Sequence, residues 1–353
     1  MKKIGILTFQ RSANFGAQLQ AYALQKTVEK LGYNVEVINY SMTGNNLKDK
    51  WIYNTKLLVK SILLNPMKYK KFRKNYNLSK KKYTDRNIET ANQEYSCFIT
   101  GSDQVWNPEY CKKTSTYLLG FSSKKNISYA ASFGVEEIDE QFKDMYKKYL
   151  SKIDYVSIRE KKGCEIFENL TTQKSKLVLD PTLLLKKDDW NSNLKLEENK
   201  KNKYVLIYML EFSKELIEIG KKFAREHNMK YKIISGTPRA CYYHGVQWWM
   251  SPQKFAKLFY NSEYVFTNSF HGTVFAMNYN KQFFVKLLVK NNKVNNRLTN
   301  VLSNFNLEKR VIKDDILDDE NINYNEVNVL LDEKRKESID FLKKALKENE
   351  NEK

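Results

Sequence analysis

The sequence predicts an α/β protein made of two Rossmann-like domains that face each other across a cleft. Short apolar runs typical of buried parallel strands alternate with segments of helical periodicity. This alternation starts again after the charged segment 186–203, which lacks periodic apolar residues. The chain has 353 residues, more than one ordinary core encloses, so two domains are expected.

The domain boundaries follow from these changes in composition. We predict a first domain at 1–185 with a basic helical insertion at 47–92, a linker at 186–203, and a second domain at 204–330. A charged C-terminal helix is predicted at 331–353.

The first domain opens with a predicted βαβ unit. Residues 3–8 form an apolar strand, a helix begins at Ala17 and ends at Gly32, and residues 34–40 form the next strand. The loop after the first strand lacks Gly-x-Gly-x-x-Gly and lacks a Walker lysine. A nicotinamide cofactor and a P-loop NTPase are therefore not predicted.

The insertion 47–92 is rich in lysine, with aromatic residues between the charges. Long basic side chains can lie along aromatic surface while their charges stay in water. One interpretation is a helical segment that contacts an anionic acceptor or membrane headgroups. The other is a solvated helical segment that packs through its leucines and tyrosines. The sequence leaves both open.

Three further strands complete the first domain. Residues 95–100 form a strand that leads into a polar loop at 101–107, which we predict to bind ligand. Residues 126–134 form a strand and turn, and the strand 155–158 places Arg159 at its end. A guanidinium at a strand end can bind a carboxylate or phosphate, or simply pair with a nearby acid. Asp180, before Pro181, is predicted to hold a loop.

The second domain repeats the strand–helix order. Strands are predicted at 204–210, 230–234, 264–266 and 283–289, with a loop at 235–239. Ser213 and Ser251 are predicted N-caps, the latter followed by Pro252 at the first helical position.

The turn at 267–273 joins the strand 264–266 to a helix. Backbone N–H groups and the helix dipole at such a turn favour an anion. His271 lies in this turn, and an imidazole beside a bound anion is held toward the protonated form that a general acid needs. The alternative is a buried, hydrogen-bonded turn residue with a structural role.

Composition excludes several classes of function. The net charge of +20 makes nucleic acid, anionic membrane and anionic substrates candidate partners, but no nucleic-acid-binding module is recognisable, so nucleic acid is not predicted. Four separated cysteines and three histidines show no zinc spacing, so neither disulfides nor a metal site is predicted. With no segment long enough to span a membrane, we expect a cytoplasmic protein, with peripheral contact at the inner membrane face left open.

Several motifs, in order along the chain, resemble the polysaccharide pyruvyl transferase family. They are Gly-Ile-Leu-Thr-Phe at 5–9, Asn-Phe-Gly-Ala-Gln-Leu-Gln at 14–20, Gly-Ser-Asp-Gln-Val-Trp-Asn at 101–107, Tyr-Ala-Ala-Ser-Phe-Gly at 129–134, Ser-Ile-Arg-Glu at 157–160, Asp-Pro-Thr-Leu-Leu at 180–184 and Asn-Ser-Phe-His-Gly at 268–272.

The resemblance implies a GT-B-like fold and transfer of a pyruvyl group from phosphoenolpyruvate to two hydroxyls of a cell-surface glycan or its lipid-linked precursor. It implies His271 as the catalytic histidine and Arg159 as the residue that holds the donor, with no metal and no further cofactor. We predict that substrate is bound by Asn14, Gly16, Gln18, Ser102, Asp103, Gln104, Asn268, Ser269, Gly272 and Arg239.

One position departs from the family pattern. Better-studied members have an arginine two residues before the histidine, where this chain has Ser269. Arg239 or a lysine is the expected substitute for that cation. Two other functions remain open: a GT-B glycosyltransferase that uses a nucleotide sugar, and a non-catalytic scaffold that recruits glycan enzymes through 47–92.

Overall fold

The computed structural model describes residues 3–42, 66–111, 114–199, 203–288, 292–318 and 320–347. The part of the predicted insertion at 47–65 lies outside these ranges.

The first domain is built on a seven-stranded sheet in which every strand pair is parallel. Its strands are β1 (Ile4–Leu7), β2 (Val35–Tyr40), β3 (Leu78–Tyr83), β4 (Cys97–Thr100), β5 (Lys125–Ala131), β6 (Tyr155–Ile158) and β7 (Lys176–Leu177). The order is β3-β2-β1-β4-β5-β6-β7. The chain direction across the sheet therefore reverses between β1 and β4, the point where open α/β sheets bind ligands.

Helices cover both faces of this sheet. They are Phe15–Lys30, Pro66–Phe72, Pro108–Cys111, Glu140–Leu150, Lys161–Leu170 and Pro181–Leu184, with short 3₁₀ turns at Arg73–Asn75, Ile88–Gln93 and Thr116–Leu118. The helix Phe15–Lys30 begins two residues earlier than predicted, because Asn14 caps it by accepting a hydrogen bond from Ala17 N at 3.2 Å.

The second domain has a four-stranded parallel sheet. Its strands are β8 (Tyr204–Met209), β9 (Lys230–Ser235), β10 (Tyr264–Thr267) and β11 (Gln282–Val285), in the order β11-β10-β8-β9. Its helices are Lys214–Glu226, Pro252–Tyr260, Phe270–Asn278, Asn292–Ser303 and Tyr324–Lys347, with 3₁₀ turns at Pro238–Tyr242 and Glu308–Arg310. The reversal point lies between β8 and β10. The predicted fold class is confirmed.

The described part of the basic insertion is only partly helical, which corrects the prediction of a helical insertion. Leu78–Tyr83 is β3, the edge strand that pairs with β2. In the helix Pro66–Phe72, Lys68 and Lys70 are exposed, whereas Tyr69 and Phe72 are buried. Tyr69 and Phe72 thus belong to the core, and Lys68 and Lys70 lie at the surface.

The segment predicted as a linker contains the helix Lys187–Leu194. Trp190 is fully buried there and donates its indole N–H to Thr182 O at 3.1 Å. Its ring centroid lies 5.9 Å from that of Tyr22 in the first domain and 5.3 Å from that of Phe275 in the second. The buried residues of this helix are Trp190 and Leu194, too few for a helical periodicity to be visible in the sequence. The contacts of Trp190 nevertheless make the segment part of the domain interface.

The C-terminal helix Tyr324–Lys347, which begins before the predicted boundary at 331, returns to the first domain. Ser338 Oγ accepts from Leu179 N at 3.0 Å, and Arg335 Nε donates to Leu183 O at 2.6 Å. Arg335 also donates to Asn278 Oδ1 at 2.8 Å in the second domain. These bonds, with a hydrophobic core that continues across both domains, hold the two domains in one arrangement.

Among the helices within the described ranges, none is both long enough and apolar enough to cross a membrane.

Candidate active site

The two reversal points face each other. On the first domain, Thr8 Oγ1 after β1 donates to Ser102 O after β4 at 3.2 Å, which joins the two loops. On the second domain, Asn268 after β10 bonds the backbone after β8, accepting from Leu210 N and donating to Glu211 O, both at 2.8 Å. Gly16, at the start of the helix after β1, contacts His271, which follows β10, so the two ligand-binding edges meet at the cleft.

His271 is the second residue of the helix Phe270–Asn278, whose N-cap is Ser269. Gly16 of the first domain packs directly on its imidazole: a Cβ added at Gly16 would lie 2.1 Å from His271 Nδ1. Only glycine allows the loop and the ring to approach this closely. The His271 side chain is 10% exposed, so the contact nearly closes the cleft around it.

Asp180 connects Arg159 and His271. Its fully buried carboxylate accepts from Arg159 Nη1 at 2.8 Å, and the same oxygen, Oδ2, lies 3.9 Å from His271 Nε2. Oδ1 accepts from Thr182 N at 3.0 Å and Thr182 Oγ1 at 2.6 Å, and Oδ2 also accepts from Ser102 Oγ at 3.2 Å. The predicted loop-holding role of Asp180 is confirmed, and it extends to both predicted catalytic residues.

Arg159 has donor groups that the protein leaves unused. Its guanidinium carbon lies 4.7 Å from the centre of the Phe270 ring. Nη2 lies 3.7 Å from Asp103 Oδ1 and Nε lies 3.7 Å from Glu160 Oε2, too far for hydrogen bonds. Both nitrogens are buried without a hydrogen-bond partner, which is costly for a charged group and points to a ligand.

Arg297 is a second guanidinium that the sequence reasoning missed. It lies on the helix Asn292–Ser303 and is half-buried, with Nε buried and lacking a hydrogen-bond partner. Gln104 Oε1, in the amide orientation that satisfies both groups, accepts from Arg297 Nη1 and Nη2 at 3.2 Å. A usable signal was composition: only nine of the 61 basic residues are arginine, the residue suited to planar recognition of anions.

A cavity of about 330 Å³ opens beside these two arginines, within the range typical of small-molecule sites. Arg159, Asp180, Phe270 and Arg297 line one part of it, and the C-terminal helix contributes Ser338. His271 is not part of the lining and contacts this region through Asp180 Oδ2. The cavity thus lies between the domains, beside Arg159, Asp180 and His271.

The buried charges shift one another's pKa. Burial is the largest effect on His271 and lowers its pKa; Arg159 and Arg297 lower it further, and Asp180 and Asp103 only partly oppose them. Burial alone would raise the pKa of Asp180, but Arg159, His271 and the Thr182 hydrogen bond hold it below its usual value. These shifts favour a neutral imidazole beside an ionised carboxylate in the free site.

A family model described as polysaccharide pyruvyl transferase matches residues 14–286. The chain belongs to the polysaccharide pyruvyl transferase family. The match includes every predicted site residue, from Asn14 to Gly272, but not Arg297. No curated protein matches the chain.

The chain also shows similarity to solved structures of other proteins. The S. aureus MnaA–UDP structure has a TM-score of 0.48 at 11% identity, over 82% of this chain and 80% of that one. The Methanocaldococcus jannaschii UDP-GlcNAc 2-epimerase has a TM-score of 0.46 at 13% identity, over 94% and 99%. E. coli heptosyltransferase WaaC with ADP has a TM-score of 0.43 at 10% identity, over 94% of this chain and 99% of that one.

The structure brings most of the residues predicted from the family motifs to one place. Gly16, Ser102, Asp103, Gln104 and Ser269 all lie in the cleft loops around Arg159 and His271, through the contacts described above. Ser102 is fully buried, and its hydroxyl lies 2.9 Å from Ala130 O and 3.2 Å from Asp180 Oδ2, so it supports the site instead of facing a ligand.

Other predicted substrate-binding residues have their polar groups engaged within the protein. Gln18 donates to Gln10 O at 2.6 Å and Ser12 O at 2.8 Å and accepts from Tyr76 Oη, so it shapes the loop after β1. The Asn268 amide is used by the loop after β8, and Asn14 caps its helix. These side chains position the loops, and direct substrate binding by Gln18 and Asn268 stays a prediction.

Gly272 has a packing role, and Arg239 lies at the surface. A Cβ at Gly272 would lie 2.2 Å from Thr267 Oγ1, so this glycine permits close packing of the helix on β10. Arg239 is exposed on the 3₁₀ turn Pro238–Tyr242 and is not among the residues that line the cavity. The cation that lines the cavity with Arg159 is Arg297, and the donor-binding role expected for Arg239 stays a prediction.

Removing the Asp180 carboxylate should destabilise the protein, because it leaves the buried Arg159 charge without its closest partner. We expect Asp180→Ala to lower the free energy of unfolding by about 3–5 kcal/mol in urea denaturation. Asp340→Ala, on the exposed side of the C-terminal helix, is the matched control and should change little. A loss below about 1 kcal/mol for Asp180→Ala would contradict the role of this carboxylate.

The pKa of His271 should respond to its charged neighbours in the free protein. We expect a value below the usual 6.5 or so, measured from the pH titration of the imidazole ring signals by NMR, with His271→Gln for assignment. Arg297→Gln should raise the value by removing a positive charge, and Asp180→Asn should lower it. An unshifted value that neither substitution moves would refute this electrostatic description.

Proposed function

We propose that this chain transfers a pyruvyl group from phosphoenolpyruvate to two hydroxyls of a polysaccharide sugar, or of its lipid-linked precursor, and forms a ketal. The observation that supports this most directly is the pair of Arg159 and His271 within reach of one buried carboxylate oxygen, at 2.8 and 3.9 Å. Family membership supports a transferase. The donor and the ketal product are our proposal.

The donor would bind through its two acidic groups. Arg159 offers Nε and Nη2, and Arg297 offers Nε, all buried and without hydrogen-bond partners. A carboxylate or phosphate that accepts from these groups would replace the long contacts to Asp103 and Glu160 with short, charge-assisted bonds. The N-terminus of the helix Phe270–Asn278 would add its dipole beside the donor.

Arg297 would supply the positive charge that this chain lacks at position 269, where it has serine and better-studied family members have arginine. In this chain position 269 acts as an N-cap, with its hydroxyl accepting from Gly272 N at 3.4 Å. A guanidinium from a different helix, that of Arg297, lines the cavity beside Arg159. Two positive charges thus remain for a doubly acidic donor.

His271 would act as the general acid. Its imidazolium gives a proton to the methylene carbon of phosphoenolpyruvate, and a sugar hydroxyl attacks the neighbouring carbon, which has oxocarbenium character. The proton of that hydroxyl returns to His271. The C–O bond to phosphate then breaks, the second hydroxyl attacks the same carbon, and its proton leaves with the phosphate. The two hydroxyl protons therefore balance the new methyl group and the released phosphate.

Because the pKa of His271 is lowered, donor binding must raise it before the imidazole can act as a general acid. Phosphoenolpyruvate would add negative charge between Arg159 and Arg297, offset their effect, and raise the pKa of the imidazole toward neutrality. Protonation of His271 would then occur mainly in the loaded site. This order limits proton transfer to solvent in the absence of substrate.

Asp103 is the acid best placed to orient the acceptor. It lies in the loop after β4 with a left-handed backbone, φ 71°, and its half-buried side chain lies 3.7 Å from Arg159 Nη2. A carboxylate there can accept a hydrogen bond from a sugar hydroxyl. Asn14 and Gln104, in neighbouring loops, would bind other hydroxyls.

Activity should depend on phosphoenolpyruvate and on His271. We expect phosphate release when the purified protein is incubated with phosphoenolpyruvate and bacterial envelope glycans, with a pyruvyl ketal on the glycan detected by mass spectrometry. His271→Gln should reduce the rate by about 10²–10⁴-fold while retaining donor binding. Consumption of a UDP-sugar in place of phosphoenolpyruvate would instead establish a glycosyltransferase. Function that survives His271→Gln would indicate a scaffold.

Donor affinity should separate Arg297 from Arg239. We expect Arg297→Ala to weaken phosphoenolpyruvate binding by about 10–100-fold in titration calorimetry, because hydrogen bonds to a charged group are lost. Arg239→Ala, which removes the same charge from an exposed turn, is the matched control and should leave the affinity unchanged. The reverse result would show that Arg239 is the donor-binding cation.

A further inference from the structure

Three of the large apolar side chains that remain exposed in the described residues lie near one another. They are Met67, Trp248 and Trp249, which are 76%, 40% and 62% exposed. Lys68 Nζ donates to Trp249 O at 3.3 Å, and Lys254 Nζ donates to Trp248 O at 3.0 Å. We call Met67, Lys68, Trp248, Trp249 and Lys254 the aromatic–basic patch. It joins the helix Pro66–Phe72 to the loop before Pro252–Tyr260.

The backbone holds Trp249 in this exposed position. Its φ of 51° lies in the left-handed region, which is unfavourable for a side chain of this size. Residues in such conformations are found mainly at functional sites. By contrast, Trp106 and Trp190 are fully buried. Two adjacent tryptophans at the surface, one of them in a strained conformation, are not explained by packing of the core.

Positive charge lies beside the two exposed tryptophans. Lys68, Lys70 and Lys71 are exposed on the helix Pro66–Phe72, and this helix has no acidic residue in its first turn. Burial lowers the pKa of Lys254, and the nearby Lys68 lowers it further. The two ammonium groups are thus close enough to influence each other, and an anionic surface placed against them would interact favourably with both.

We propose that the aromatic–basic patch binds the surface of a bilayer that contains anionic phospholipid. Tryptophan is suited to the boundary between headgroups and acyl chains, since its ring is apolar and its N–H is polar. Lysines beside it attract anionic headgroups, and a net charge of +20 favours the same encounter. A soluble polyanion would use the lysines without needing exposed apolar rings, so the tryptophans favour a membrane.

The patch lies close to the candidate active site. Tyr69, next to Lys68, stacks on Phe15 with ring centroids 5.7 Å apart, and Phe255, next to Lys254, stacks on the same ring at 4.9 Å. Gly16 follows Phe15 and contacts His271. Membrane binding here would bring a lipid-linked acceptor to the cleft, a consequence that rests on the proposed function. Membrane binding itself does not.

Sedimentation of the full chain with phospholipid vesicles tests the proposal. We expect binding to vesicles of phosphatidylcholine with phosphatidylglycerol and little binding to phosphatidylcholine alone. Lys68→Gln with Lys254→Gln should weaken partitioning by about 10–30-fold, since each lysine near an anionic surface contributes about threefold to fivefold. Trp248→Ala with Trp249→Ala should weaken it comparably and abolish quenching of tryptophan fluorescence by brominated lipid.

A matched control distinguishes the patch from general charge. Lys147→Gln with Lys148→Gln removes two exposed lysines from the helix Glu140–Leu150 and should leave partitioning nearly unchanged. An equal loss of partitioning in this control would overturn the proposal in favour of a diffuse interaction. Vesicle binding that is unchanged by Trp248→Ala with Trp249→Ala would overturn it in favour of a polyanion. Absence of vesicle binding would also overturn it. None of these measurements depends on phosphoenolpyruvate.

Discussion

The buried carboxylate of Asp180 is the group on which the rest of the site depends. One oxygen accepts from Thr182 and fixes the turn into Pro181–Leu184, and the other accepts from Arg159 and Ser102 and lies near His271. A charge buried this deeply is tolerated only when its partners are fixed. The pairing therefore holds Arg159 in one orientation, while Nε and Nη2 remain available.

The same constraint requires the domains to stay together. Asp180 and Arg159 belong to the first domain, whereas His271 and Arg297 belong to the second, so the electrostatic environment of the imidazole exists only when the cleft is closed. Trp190 and Arg335 contact both domains and favour that arrangement. In this arrangement His271 is almost covered by Gly16, and any ligand that reaches it must displace that loop or enter beside Arg159.

Lysine and arginine have separate uses in this chain. Lysines account for most of the positive charge and lie mainly at the surface, where they set the field that an anionic partner meets. The few arginines include Arg159, Arg297 and Arg335, each held at least partly inside the protein and each with a defined set of neighbours. Planar guanidinium groups suit such positions because they bind two acceptors at fixed angles.

The sequence by itself determined most of the strands, the family, and the local positions of Arg159 and His271, because apolar runs and turn residues act over a few neighbours. It did not show that Leu78–Tyr83 completes a sheet or that Trp190 packs between domains, since both depend on burial by distant segments. Nor could it pair Arg297 with Arg159, 138 residues apart. Only the tertiary structure decided which polar groups are consumed internally, as in Gln18 and Asn268, and which remain for a ligand, because that depends on hydrogen bonds between loops far apart in the chain.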